Sequence, residues 1–307
     1  MFNTAKEIIE YCQKNNCHIY DLVLEDELKN SSLTKEEIFE KILEILQVMK
    51  KSSTNTLDKK FTTKYKMIDG FAKKCFSYQE ISEPIVGKFL MKAMAMAFST
   101  SETNANMGTI AAAPTAGSSG IMPATLMSLK EKYDLDDEVL VKGLLTSIGI
   151  GQIIGKYATF AGAEGGCQAE CGSASAMAAS AAVEILGGSP SEALEAASIT
   201  LINVLGLACD PIAGLVEYPC NFRNASGVMN ALISADMAMA GIKSIVPFDE
   251  VASAMGEVGK LLNVSIRETG LGGLAGTKTG CAIRAQFLNL QEEVWKKRPL
   301  VWYQKLL

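Results

Sequence analysis

The sequence predicts an all-α protein, on three observations. Helix start and stop signals recur along the chain, with apolar residues at three- and four-residue spacing between them. The alternation of apolar and polar residues that marks strands is scarce, and no hairpin signal occurs. From about residue 85 to 285 charges thin out and Ala, Gly, Ser and Met dominate, small or adaptable residues that let helices pack closely around a buried centre.

Taken in order, residues 1–84 are charged and read as short amphipathic helices. The clearest start is Thr34-Lys35-Glu36-Glu37, a capping box in which Thr34 and Glu37 each satisfy a free amide. Ile38, Ile42, Ile45 and Leu46 follow at helical spacing. Eight lysines between Lys50 and Lys74 read as a solvated face, with an acidic-ligand patch as the alternative. In the core segment 85–285, Met91, Met94, Met96 and Met107 are expected to fill irregular gaps. Pro114 to Gly120 reads as a Gly-Ser loop leading into the apolar run Ile121 to Leu129. An Ala-rich helix over 172–186 should end at Gly187-Gly188. Ser189 then caps the next helix, with Pro190 in its first position. Asp249-Glu250 opens another, carrying Val251, Met255, Val258 and Leu262 on one stripe. Residues 286–307 form a short tail in which Trp295, Trp302 and Tyr303 lie among Lys296, Lys297, Arg298 and Lys305, read as a docked helix.

Composition excludes some functions. The 307 residues are 48% hydrophobic and 21% charged, enough for a sizeable core. A net charge of −5 gives no electrostatic case for nucleic acid or an anionic membrane. The longest uncharged run, Thr103 to Leu129, is broken by Asn, Gly and Pro and does not read as a membrane span. The first ten residues hold no apolar signal core. A soluble cytoplasmic protein is therefore expected, in which eight cysteines serve as thiols or metal ligands rather than disulfides.

Two features carry chemistry. Cys167, Cys171, Cys209 and Cys220 lie within one Gly/Ala/Ser-rich stretch, and the only histidine, His18, is far away in sequence. Soft thiolates without imidazole favour iron–sulfur or all-thiolate zinc sites. The spacings match no CxxC pattern, so buried unligated thiols remain an equal reading, although neighbouring Gly and Pro turns favour ligation. The second feature is the loop of Thr115, Ser118 and Ser119, whose hydroxyls and amides could hold a carboxylate or simply cap a helix. It lacks the phosphate-loop lysine, so a nucleotide is not indicated. Asn104 and Asn106 supply amides just upstream, either bracing backbone or facing a polar ligand.

Several separated blocks, in order, resemble the α subunit of iron–sulfur-dependent L-serine dehydratase. They are Asn106-Met107-Gly108 with Ala112 to Ser118, Gly162 to Glu170, Cys209-Asp210-Pro211 with Gly214 to Glu217, and Pro219-Cys220 with Arg223-Asn224-Ala225. Ala235 to Ala238, Pro247 to Val251, and Arg267-Glu268-Thr269 with Gly272 to Ala275 continue the match, which covers about residues 90 to 280.

The resemblance implies a helical domain whose Ala/Gly/Ser-rich helices surround a buried 4Fe–4S cluster held by Cys167, Cys209 and Cys220. It implies conversion of L-serine to pyruvate and ammonia without pyridoxal phosphate. The family's second part carries a Ser-Ser-Ser-His-Thr motif absent here, so the chain resembles one subunit of an oligomer that needs a β partner. The partner is expected to supply the base; His18 is not. Thr115, Ser118, Ser119, Asn104, Asn106 and Arg223 are the candidates for binding substrate, Arg223 having a pairing with Glu217 as its alternative role. The chain departs from the family at Met67 to Lys74, which has one glycine where more are usual, and at Cys171, Lys278 and Cys281. Those departures keep two other readings in view: L-cysteine desulfidase on the same cluster, and a non-catalytic iron–sulfur sensor or scaffold with a saturated cluster.

Overall fold

The computed structural model describes residues 2–296. Thirteen helices and no named strand are found among them, so the all-α expectation holds. Two isolated bridges, Thr62 with Asp69 and Cys209 with Arg267, are the strand-like pairings among the described residues.

The N-terminal helices are α1 (Ala5–Asn15), α2 (Ile19–Asn30) and α3 (Lys35–Thr54). Helix α3 starts on the expected box, with Thr34 Oγ1 accepting from Glu37 N at 3.2 Å and Glu37 Oε2 from Thr34 N at 2.7 Å. Ile38 and Leu46 are buried and Ile42 partly so, whereas Ile45 is left 43% exposed, at the edge of the apolar stripe. Helix α4 (Phe71–Ile81) and α5 (Gly87–Ala105) follow. Polar bonds tie α3 and the start of α4 onto α5: Ser99 Oγ donates to Ser52 O at 2.8 Å, and Asn55 Nδ2 to Thr103 Oγ1 at 3.1 Å. Fully buried Glu102 accepts from the hydroxyl of Thr56 and, at 3.2 Å, from the backbone amide of Ala72 in the first turn of α4.

The centre is built from α6 (Ile121–Tyr133), α7 (Asp137–Tyr157), the single turn α8 (Gly162–Gly165) and α9 (Ser173–Ile185). Every residue of α9 is buried. Helices α6, α7, α10 (Pro190–Ile202) and α11 (Cys220–Met239) pack around it. Its Ala-rich sequence permits this, because small side chains let partner backbones approach: Ser180 Oγ reaches Ala193 O of α10 at 3.0 Å. Glycines serve the same end. A Cβ on Gly143 of α7 would sit 2.8 Å from Ile185, and one on Gly227 of α11 would sit 2.5 Å from Ile121. Helix α7 is apolar and long enough to cross a bilayer by composition, but it is mostly covered, packing against α2, α3, α9 and α12 (Phe248–Leu261). As expected, Gly187 in left-handed geometry follows α9, and Ser189, Pro190 and Glu192 start α10 with a capping box. Val251 and Met255 of α12 are buried; Leu262 lies just beyond its end.

The last helix, α13 (Lys278–Lys296), begins before residue 286 and so runs across the expected start of the tail. Trp302, Tyr303, Lys297, Arg298 and Lys305 lie outside the described residues, as does the side chain of Trp295.

Candidate active site

The irregular segments between α7 and α9 and between α10 and α11 meet at the N-terminal ends of α6, α9 and α11. Cys167 precedes a π-helical turn, Gln168–Gly172, that runs into α9. This turn is wider than an α-helical one. Gln168 locks the turn: its Nε2 donates to Gly165 O and Met255 O at 2.9 and 3.0 Å, and its Oε1 accepts from Gly206 N at 2.8 Å. Cys209 is clamped on both sides by backbone, its N–H donating to Ile266 O at 2.9 Å and its carbonyl accepting from Glu268 N at 2.6 Å. Cys220 opens α11.

All four thiols are buried and none is in a disulfide. Their charges interact, since each of Cys209 and Cys220 is raised by Cys167 after the larger effect of burial. Burial pushes Cys220 up to about 12. Cys167 is the exception: a hydrogen bond from Cys171 and the nearby Arg223 guanidinium pull it below the ordinary thiol value, while Cys171 is pushed well above it. A thiol held toward its anionic form beside an arginine suits a metal ligand.

Arg223 is built into this site. Its Nη2 pairs with Asp210 Oδ1 at 2.5 Å and its Nη1 donates to Ala208 O at 2.5 Å. The alternative pairing with Glu217 does not occur. Asp210 in turn accepts from Leu274 N at 2.7 Å. Gly273, at φ +57°, lies so close that a Cβ there would fall 2.3 Å from Asp210 Oδ2. The Gly-Gly-Leu-Ala block thus packs on the Cys209 loop through its backbone.

The hydroxyl loop forms as expected, with a short 3-10 turn, Ala116–Ser118, before α6. Thr115 Oγ1 lies 3.0 Å from Ser118 Oγ and donates to Glu170 Oε1 at 2.8 Å. Ser119 Oγ donates back to Ala116 O at 2.8 Å, a bracing role. Asn224 joins this loop to Cys220: its Nδ2 donates to Gly117 O and Cys220 O, both at 2.7 Å, and its Oδ1 accepts from Gly120 N at 2.8 Å. Asn104 lies in the last turn of α5 and exposed Asn106 just after it. No side-chain hydrogen bond among the described residues joins either to this cluster.

Glu170 and Glu268 are the residues that sequence reasoning passed over. Glu170 contacts Cys209 Sγ at 3.9 Å through Oε2. Burial raises its carboxyl, opposed by the Thr115 bond and reinforced by Glu268. A Cβ on Gly162 would meet Glu170 Oε2, Cys209 Sγ and Glu268 Oε2 at 2.9, 3.0 and 3.2 Å, and one on Gly117 would meet Glu170 Oε1 at 2.9 Å. Two glycines therefore make room for one carboxylate. The signal in the sequence was Glu170 beside two cysteines in a segment otherwise poor in charge. His18 is remote from this cluster: its Nδ1 sits 2.8 Å from Glu184 Oε1, near the opposite end of α9, as an ion-pair contact rather than an aligned hydrogen bond.

The donor set bears on which metal group it would suit. Among the described residues no three His, Cys, Asp or Glu could hold a single metal ion. A mononuclear thiolate site draws its sulfurs to about 4 Å apart, given metal–sulfur bonds near 2.3 Å. Buried cysteine sulfurs without an imidazole among them are, by chemistry, the soft donor set that suits an iron–sulfur group. Asn221 Nδ2, next to Cys220, and Ser173 Oγ, two residues after Cys171, are buried donors without a protein acceptor.

Residues 14–275 match the family model described as the serine dehydratase alpha chain. The chain is 66% identical over 288 residues to the L-serine dehydratase alpha chain of Peptoniphilus asaccharolyticus, covering 94% of this chain and 99% of that one. It is 45% identical over 280 residues to the probable L-serine dehydratase alpha chain of Bacillus subtilis, covering 91% and 93%. It is also 35% identical over 282 residues to the L-serine dehydratase of Streptomyces coelicolor, where it covers 89% of this chain but 60% of the longer relative. Matches of this extent, over the segments that build the thiol cluster and the hydroxyl loop, place the chain in the serine dehydratase alpha chain family.

Proposed function

We propose that this chain is the α subunit of an L-serine ammonia-lyase, a carbon–oxygen lyase that converts L-serine to pyruvate and ammonia. The observation that carries the reading is the convergence of the Cys167, Cys209 and Cys220 segments with the Thr115–Ser118 loop, through Glu170 and Asn224. Cys167, Cys209 and Cys220 would hold a 4Fe–4S cluster. When bound, that cluster supplies a Lewis-acidic iron without a protein thiolate, suited to a departing hydroxyl.

The chain's own residues bind and orient. Thr115 and Ser118 line the place for the substrate carboxylate, with Ser118 as the donor because the Thr115 proton goes to Glu170, and Asn224 fixes the loop. Glu170 and Glu268 offer negative charge to the substrate ammonium beside Cys209. Arg223 supports Cys167 and Asp210 rather than substrate, since its donors face those groups. Ser119, Asn104 and Asn106 stand further from this arrangement. The base that takes the α-proton comes from a β subunit in the same cytoplasmic oligomer, a reading supported by the longer relative, 40% of whose length lies beyond the match.

The test is anaerobic reconstitution with iron and sulfide, counting both, with Mössbauer spectra before and after L-serine. About four irons per chain are expected, one of which shifts with serine once the β partner is co-expressed. Replacing Cys167, Cys209 or Cys220 by Ser should abolish loading, and Cys171→Ser should not. Loss of iron in Cys171→Ser would overturn the ligand set. A shift with L-cysteine and none with L-serine would move the reading to a desulfidase.

A further inference from the structure

A second pair of cysteines lies away from the site. Helix α1 ends at Asn16, in left-handed geometry (φ 50°, ψ 51°), whose N–H donates to Cys12 O. The N–H of Cys17 donates to the same carbonyl at 3.1 Å. That six-residue closure folds the side chain two places past the helix back onto its last full turn. The usual occupants of the two positions are apolar residues in contact; here both are cysteines. Cys12 is buried and Cys17 half-buried. Both line a cleft of about 570 Å³ together with His18, Gly187 to Ser189 between α9 and α10, and Pro190 to Glu192 in the first turn of α10. Glu184, which pairs with His18, is eleven residues along α9 from Ser173, about 16 Å at 1.5 Å per residue, with Cys171 before that helix begins. Neither thiol takes part in the arrangement around Cys167, Cys209 and Cys220.

We propose that Cys12 and Cys17 form a thiol–disulfide exchange site for small-molecule disulfides, with the cleft as the docking place. Cys17 meets the incoming disulfide, since it is the less buried member. Burial raises its thiol above the ordinary value, so the thiolate fraction, growing as pH rises, attacks one sulfur; the S–S bond breaks, and the first small thiol leaves with the released electron pair and takes up a proton. Cys12 then gives up its proton and attacks the sulfur of Cys17, and the second small thiol leaves. Two protein thiols are oxidised to one disulfide and one small disulfide is reduced to two thiols. Because the turn that carries the Cys17 N–H to the Cys12 carbonyl already folds the two residues together, closure needs side-chain rotation and little backbone movement.

Oxidised glutathione is the probe. The full chain, prepared anaerobically, is incubated with it, alkylated and digested with trypsin. Lys14 lies between the two cysteines, so cleavage there turns a Cys12–Cys17 disulfide into two linked peptides. The wild type should show the linked pair, restored to free thiols by reductant. Cys12→Ala, which keeps the half-buried thiol, should instead accumulate a stable glutathione adduct on Cys17, and Cys17→Ala should leave Cys12 unmodified. Helical circular dichroism of both variants confirms that they fold. A wild type without linked peptides, whether Cys17 stays free or retains an adduct, would overturn the proposal, and so would Cys12→Ala with no adduct on Cys17.

Discussion

Glu170 shows how a single side chain can join two parts of a site. It reaches Thr115 of the hydroxyl loop with one oxygen and Cys209 with the other, and Gly117 and Gly162 leave it the space to do so. Glu170→Gln should retain shape and iron content while weakening both contacts. By the usual cost of losing a group that orients ligands, kcat/KM for serine should fall about 10–100-fold. Unchanged kcat/KM with full iron would remove Glu170 from the site. At this scale the sequence was informative where chemistry is rare and silent where it is shared. Four thiols, at Cys167, Cys171, Cys209 and Cys220, stood out because soft ligands cluster there, but which three would hold a cluster came from the family resemblance and not from their spacing. Arg223 could be named but not assigned, because its partner Asp210 and its neighbour Cys167 come together only through the fold. Asn224 was visible within a motif, but its three bonds span 104 and 107 residues on one side and four on the other, which no local pattern encodes.

Helices were legible where capping chemistry or a composition shift marks them, as at Thr34, Ser189 and the Gly187-Gly188 stop. The π-turn between Cys167 and Cys171 was not, since a four-residue spacing suits an ordinary helix and the widening follows from the bonds made by Gln168. Close packing at glycine gives a graded test of the elements. A Cβ on Gly259 of α12 would fall 2.7 Å from the Gly165 Cα of α8, so backbone must move. A Cβ on Gly151 of α7 would meet only the flexible end of Met177, at 3.2 Å. Gly259→Ala should therefore cost about 1–3 kcal/mol in chemical denaturation, and Gly151→Ala clearly less. Equal costs would mean that α8 and α12 are not rigidly apposed.

Over the whole molecule, several carboxyls are raised chiefly by desolvation: Glu102, Glu184 and Glu217, which are buried, and Glu170, which is partly so. Each is protonated more readily folded than unfolded, so its favourable contribution is complete below the unfolded value, 4.5, and is lost as pH rises through the higher folded one. Glu102 is the best of them to test, because it holds the start of α4 and the end of α3 against α5, away from the thiols. In the iron-free chain, Glu102→Gln should show a smaller loss of stability between pH 4.5 and neutrality than the wild type, by urea denaturation at each pH. Parallel profiles would mean that Glu102 titrates alike folded and unfolded. The all-helical class could be read from composition, because it depends on many residues at once. The position of these carboxyls could not, because burial is settled by how distant helices pack.

Between the end of α10 at Ile202 and the start of α11 at Cys220 there is no regular structure beyond a 3-10 turn at Ile212–Gly214. Asn203, Leu205 and Gly206 in this stretch are exposed. In the reading proposed above, Cys209 and Cys220 would be stapled to Cys167 once iron and sulfide are in place. A freshly made, unloaded chain should thus offer proteases their first cut after Leu205 or Leu207, and loading should close that window. Quality control in the cell would then act on cluster assembly rather than on folding, clearing chains that have folded well but never received their iron.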